Sequence, residues 1–246
     1  MEAGVILVVL AAALLAGVAQ GLTGFGFALI VVPMLLFVVD VQEAVVMSSA
    51  LGTVSVALVS MRSWRHVSWP LVLRLLAGSF AGMPVGLLIL LFAPQEPLRI
   101  AVALAVLVMA LGLTWGYRLP AGGTGRELAV GAFSGVLRTS TSLAGPPVVF
   151  YLQARAFEPP SFRATLVMFF LVGNIVALAA FVATSVVTSR SIVYSAIALP
   201  LVFVGVAGGD RLLGRIDPVL FRRLVLALLV GTALSGVGLS LQRLLG

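Results

Sequence analysis

The sequence predicts an all-α integral membrane protein of about eight hydrophobic segments, built by tandem duplication of a four-segment unit, with segments one and five broken by Gly and Pro. Three observations carry this. Hydrophobic residues make up 61% and charged residues 9% of the 246 positions, against about 45–50% and about 25% in soluble domains. Residues 3–39 form a run of 37 without a charged side chain, nearly twice the ~20 that a spanning helix needs, and it is interrupted by Gly21-Leu22-Thr23-Gly24-Phe25-Gly26. An internal repeat then relates the two halves.

Apolar segments fall at 3–39, 44–61, 75–95, 100–117, 127–154, 164–189, 191–209 and 224–242. The N-terminus lacks the basic region of a signal peptide and its apolar run is too long for one, so it is expected to remain as structure. Segment one is closed by Pro33. Trp64-Arg65-His66-Val67-Ser68-Trp69, between segments two and three, reads as an interfacial aromatic belt, and His66 belongs to it. Gly78, Gly82 and Gly86 on segment three, and Gly205 and Gly209 on segment seven, are spaced for close helix packing. Segment five contains Arg138-Thr139-Ser140-Thr141-Ser142-Leu143-Ala144-Gly145-Pro146-Pro147, a second break. The connections are short and rich in Pro, Arg and acids, so one polytopic domain over 1–246 is expected.

The repeat is a matter of order. Gly17, Gly21, Leu29, Pro33 and Phe37 precede Gly131, Gly135, Leu143, Pro147 and Tyr151 by 114 positions; Met47 and Gly52 precede Met168 and Gly173 by 121. The expected units are about 1–117 and 126–246. Transporters are commonly built from such repeats, with the site at their interface and formed by discontinuous helices. If every segment crosses once, arginines divide seven to seven between the faces; if segment five dips in and returns, they divide eleven to three. The positive-inside rule expects such an imbalance, which favours a re-entrant fifth segment and inverted repeats.

Composition also excludes. There is no cysteine and one histidine, so thiol redox chemistry and thiolate or multi-histidine metal sites are out; no metal and no cofactor is expected. The net charge of +7 comes from 15 arginines spread between apolar runs, loop charge rather than a basic patch, so no nucleic-acid partner is expected. With no interior acid, no cysteine and an interfacial histidine, the machinery of an enzyme is missing.

The two breaks hold the candidate site. Glycine lets backbone leave helical geometry, and non-helical backbone survives at membrane depth only where protein buries it or it lines a polar cavity. Gly21, Thr23, Gly24, Phe25, Gly26 and Pro33 are therefore candidates for a pathway. The exposed amides of a half-helix N-terminus suit an anion. In the second break Arg138 stands in register with Gly24, and Thr139, Ser140, Thr141 and Ser142 follow, then Gly145 and Pro146. A mid-segment guanidinium costs about 2.5–3.5 kcal/mol on insertion scales, and its planar fork matches an oxyanion. The other reading is that Arg138 snorkels or caps a helix end. Asn174, in register with Thr53, is a further candidate, as are Ser48, Ser49 and Thr53, all on the segments that follow the two breaks; such residues more often glue helices together. Glu43 and Asp40 flank a turn and are expected to be solvated, and Arg74 to be an anchor.

Gly21-x-x-Gly24-x-Gly26 running into Val31-Val32-Pro33-Met34-Leu35, with Gly145-Pro146-Pro147 in the second half and a Trp/Arg loop near residue 65, resembles the TauE/SafE family of anion permeases over the whole chain. The resemblance implies secondary transport, often export, of sulfite, small organosulfonates or related carboxylate-bearing anions across the bacterial inner membrane. Its glycine-rich pattern falls on Gly21, Gly24 and Gly26, its proline on Pro33, and its second Gly-Pro on Gly145 and Pro146. Where many relatives carry a more glycine-rich second knot, this chain has Arg138-Thr139-Ser140-Thr141-Ser142.

The expected function is thus a multi-pass permease for a small anionic solute in the inner membrane, lipid its other partner, with a homo-oligomer left open. The alternatives are a non-transporting structural or assembly protein, and a channel. The run Thr23-Gly24-Phe25-Gly26 is one residue short of a potassium-channel filter.

Overall fold

The first uncharged run folds as two helices, α1 (Glu2–Thr23) and α2 (Phe27–Leu35), parted at the glycines. Gly24 (φ 79°) and Gly26 (φ 97°) are left-handed, a conformation that a side chain opposes. Local bonds satisfy the freed polar groups. Gln20 Nε2 donates to the Gly24 carbonyl at 2.8 Å, Thr23 Oγ1 to Ala19 O at 2.9 Å, and the Phe25 amide to Thr23 Oγ1 at 3.2 Å. The fifth segment divides in the same way, into α6 (Thr124–Thr141) and α7 (Gly145–Gln153), around Ser142 at φ 63°. Arg138 lies inside α6, a turn before this break.

The computed structural model describes residues 2–60, 64–114, 120, 122–155 and 157–212, and all the regular structure among them is helical. The remaining helices are α3 (Val41–Ser60), α4 (Trp69–Phe92), α5 (Gln95–Thr114), α8 (Pro159–Ala183) and α9 (Ser189–Leu212), with a 3₁₀ turn at Trp64–His66. Helices α1, α3, α4, α8 and α9 are long and apolar enough to cross a membrane. The expected last segment, 224–242, lies outside the described residues.

Helix α1 packs along α9, α4 along α6, and α3 against α8 in the centre. The first two pairs approach so closely because glycine faces backbone. A methyl group on Gly17 would meet Val202 O at 3.1 Å and Gly205 Cα at 3.2 Å; one on Gly78 would meet Leu128 C at 2.9 Å and Ala132 N at 3.0 Å. Small-residue contacts of this kind let backbones touch where no hydrophobic effect draws helices together. Gly78, Gly82, Gly86, Gly205 and Gly209 pack as their spacing predicts. Gly21 joins them, its would-be methyl 2.8 Å from Asp210 N and 3.0 Å from Gly209 Cα.

The two ends of the bundle are tied by polar clusters. At one end α7 folds back on α6, so that Arg155, just past α7, reaches Glu127 on the first turn of α6 at 2.5 Å, while Arg74 of α4 meets the same carboxylate at 3.0 Å and Tyr151 Oη donates to it at 3.3 Å. At the other end the Val41 amide donates to Gln95 Oε1 at 3.1 Å, Gln42 Nε2 to Leu90 O at 3.0 Å, and Arg99 Nη1 to Leu36 O, just past α2, at 2.6 Å. Two expectations change here. Glu43 is not solvated: it is buried, accepts from Thr188 Oγ1 at 3.0 Å and lies 3.7 Å from Arg190. Arg74 is no plain anchor, because Glu127 is fully buried and its charge requires partners.

Candidate functional site

Both breaks open onto one cavity of about 50 Å³. The first turn of α2 contributes Gly26, Phe27, Ala28 and Leu29, and the start of α7 contributes Ala144, Gly145 and Pro146; Gln20, Phe25, Ser48, Gly52, Val56, Ser142, Leu143, Phe170 and Asn174 complete the wall. The first amides of a helix have no acceptor within it, and they carry the positive end of its dipole. Two such ends therefore meet here, though Pro146 and Pro147 supply no N–H and α2 is the richer in donors. Ser142 Oγ donates to Ser48 Oγ at 3.0 Å and lies 3.4 Å from Ser49 Oγ, so α3 and the second break share a small hydroxyl cluster. Among the described residues no charged side chain lines this cavity.

Behind one wall lies Arg138, only 1% exposed. Its Nη1 donates to Asn174 Oδ1 at 2.6 Å and to Phe170 O at 3.4 Å, and its Nη2 to Phe169 O at 3.4 Å. The guanidinium stands 4.7 Å from the Phe169 ring centroid, a cation–π contact. Gly173 leaves the room: a methyl there would lie 2.7 Å from Arg138 Nη1. Among the described residues Arg138 Nε has no partner. An arginine can only donate, so the amide oxygen of Asn174 must face it and Nδ2 must turn away. Nδ2 points to the Gly52 side, 3.5 Å from where a Cβ there would sit. Among the described residues it has no acceptor.

The expected site residues thus separate. Phe25, Gly26, Ser142, Gly145, Pro146 and Asn174 come together on the cavity. Three of the four consecutive hydroxyls face backbone instead: Thr139 Oγ1 donates to Met83 O at 2.7 Å, Ser140 Oγ to Val136 O at 2.7 Å, and Thr141 Oγ1 to Leu137 O at 2.8 Å. Arg138 reaches the cavity through Asn174. Pro33 is buried inside α2, and Gly21 is packed on α9. Thr23 and Gly24 shape the first break: Thr23 Oγ1 also lies 2.5 Å from Phe25 O, and a methyl on Gly24 would meet the Arg163 stem at 2.6 Å.

Sequence reasoning passed over Gln20, although it and Thr23 are the sole polar side chains of the 37-residue run, which was the available signal. It also passed over Arg163. Its Nη2 donates to Gly21 O at 2.7 Å and lies 3.4 Å from Asp210 Oδ1. Arg163 lines a second, larger cavity of about 660 Å³ with Thr23, His66, Phe203 and Asp210. The two cavities lie on either side of the first break, Thr23 walling the larger and Phe25 and Gly26 the smaller.

Among the described residues, five helices suited to crossing a bilayer, two broken segments and a cavity between the breaks define a polytopic membrane protein of transporter type. The chain belongs to the sulfite exporter TauE/SafE family, whose model matches residues 9–236, and is a membrane permease for small anions. It is 26% identical to the probable sulfite/organosulfonate exporter TauE of Cupriavidus necator over 225 residues, 88% of this chain and 87% of that one. It is 30% identical to the probable inner membrane transporter protein TsaS of Comamonas testosteroni over 183 residues, 70% of this chain and 74% of that one. No solved structure matches it.

Proposed function

We propose that this permease carries sulfite, a small organosulfonate or a related carboxylate-bearing anion across the bacterial inner membrane by secondary transport, and binds it in the cavity between the two breaks. The observation that carries this reading is the convergence of two half-helix N-termini and the Asn174 amide on one small, otherwise largely apolar space. Helix N-termini and amides offer donors and partial positive charge, which suits an oxyanion. Among the described residues the wall holds no cation, so the donors it offers the anion are neutral. A volume of about 50 Å³ is room for a few waters or an anion of about four heavy atoms; a longer organosulfonate requires a wider state of the same cavity.

The chain is further proposed to be a single polytopic domain made of two inverted repeats, about 1–117 and 126–246. The pairing of helices supports this. The first helix of each half packs on a long helix of the other, α1 on α9 and α6 on α4. Each half also carries a broken segment ending in a nine-residue helix. If segment five returns to its own face, the eleven-arginine face is cytoplasmic.

The test is export or uptake of labelled sulfite by proteoliposomes holding the purified chain, with Asn174→Ala beside it. Saturable transport by the wild type, with a raised KM in the variant, supports the reading. A folded wild type that moves none of sulfite, methanesulfonate or acetate overturns it.

A further inference from the structure

We infer that Arg138 is a resident cation: its guanidinium occupies a cage of oxygens that would otherwise suit a monovalent metal ion, so anion binding at the cavity needs no co-bound sodium or potassium. This rests on the proposed anion site and specifies how that site is charged. The cage consists of the carbonyls of Phe169 and Phe170 at 3.4 Å each and Asn174 Oδ1 at 2.6 Å, with the Phe169 and Phe170 ring centroids 4.7 and 5.9 Å away. Oxygens without formal charge, backed by aromatic faces, are a cation's ligands. Among the described residues no carboxylate contacts Arg138, and its Nε is buried without a partner there. Within that part of the protein the charge has only neutral ligands.

Two consequences reach the cavity. The Asn174 amide is locked with its oxygen toward Arg138, which presents Nδ2 to the anion as a fixed donor. Phe170 lines the cavity and also holds Arg138 through its carbonyl, so the positive charge stands one side-chain layer behind the wall. A charge at that remove attracts an anion without gripping it, because the guanidinium keeps its own ligands throughout. Register adds a reason for the location. The position matching Arg138 in the first half is Gly24, and the residue matching Gly173 is Gly52, which faces the open cavity. Gly52 is left in the cavity wall, whereas the guanidinium of Arg138 covers Gly173. Arg138 is thus a positioning residue, and Asn174 makes the contact.

The experiment measures sulfite binding to the purified full chain by calorimetry, with choline as the sole monovalent cation and then with sodium or potassium. The wild type is expected to bind equally in all three. Arg138→Ala is expected to lose about tenfold in affinity, the effect of one hydrogen bond to a charged group, and to recover it on adding millimolar guanidinium, which a merely structural role would not allow. Asn174→Asp serves where the alanine variant fails to fold. It places a carboxylate on Arg138, so its melting temperature should rise while sulfite binding is abolished. A wild type that requires sodium or potassium overturns the inference alone, as does an Arg138→Ala variant that binds like the wild type or an Asn174→Asp variant that still binds. A wild type that binds no anion under any cation overturns the anion site itself.

Discussion

Arg138 donates from Nη1 to Asn174 Oδ1 at 2.6 Å, and this bond between α6 and α8 decides which end of the Asn174 amide meets the cavity. Because a guanidinium cannot accept, the amide can present only its N–H₂ to a ligand. The first prediction follows. Asn174→Ala should weaken sulfite affinity by about 10- to 100-fold, since a hydrogen bond to a charged group contributes about 1.5–3 kcal/mol. The fold should be kept, because Asn174 is only partly buried. Initial transport rates against sulfite concentration would show it as a change in KM.

Gly26 sits at φ 97° and begins the turn into α2, while a methyl there would meet only Thr23 Oγ1, at 3.9 Å. Space is therefore available and conformation is not. Gly26→Ala should cost about 1–2 kcal/mol through backbone strain alone, read as a lowered melting temperature in detergent. It should also reduce transport, since the amides of Phe27 and Ala28 would be re-aimed. A Gly26→Ala protein with unchanged stability and transport would mean that the left-handed turn does not shape the site.

Gly82 tests the opposite case. A methyl there would lie 2.8 Å from Ala132 C and 3.1 Å from Ala132 Cα, so α4 and α6 would have to part. Overpacking of this kind costs about 1–3 kcal/mol, which outweighs the ~1 kcal/mol of helix propensity that alanine contributes over glycine. Gly82→Ala should therefore melt lower, whereas Gly4→Ala, with nothing within 4 Å, should not.

Glu127 joins α4, α6 and the end of α7 through Arg74, Arg155 and Tyr151. Removing one partner of a buried ion pair costs about 3–5 kcal/mol; here the partly exposed arginines can regain water, so about 2–3 kcal/mol is expected for Glu127→Gln. The lesion should fall on the α6–α7 hairpin. Hydrogen exchange should rise in Gly145–Gln153 before it rises in α3 or α8.

Because the chain has no cysteine, single cysteines report topology directly. Gly123→Cys, at the Glu127 end, should react with a membrane-impermeant maleimide only from the cytoplasmic side. Ser185→Cys, after α8, should react only from the periplasmic side. Labelling of both from the same side would rule out the proposed orientation.

Membrane residence, both breaks and the glycine packing faces were legible in the sequence by itself, for one reason. Each is a local consequence of what a bilayer does to a chain: charge is excluded over the length of a span, glycine is tolerated where it packs or bends, and proline follows a break. Gln20 could have been read too, as a rare amide in an uncharged run. What the linear order could not express was direction. Thr139, Ser140, Thr141 and Ser142 are four like residues in a row, yet only Ser142, left-handed at the helix end, turns to the cavity. Arg138 is in register with Gly24 but spends its donors on α8 rather than on open space. Glu127 and Glu43 stand at segment ends, where water was the natural expectation, and arginines and hydroxyls from distant helices bury them instead. Sequence alone determined that this is a membrane protein broken at two places. The tertiary structure decided that the breaks share one cavity and that Asn174 faces it with Arg138 behind, because hydrogen-bond partners far apart along the chain are chosen only when helices pack.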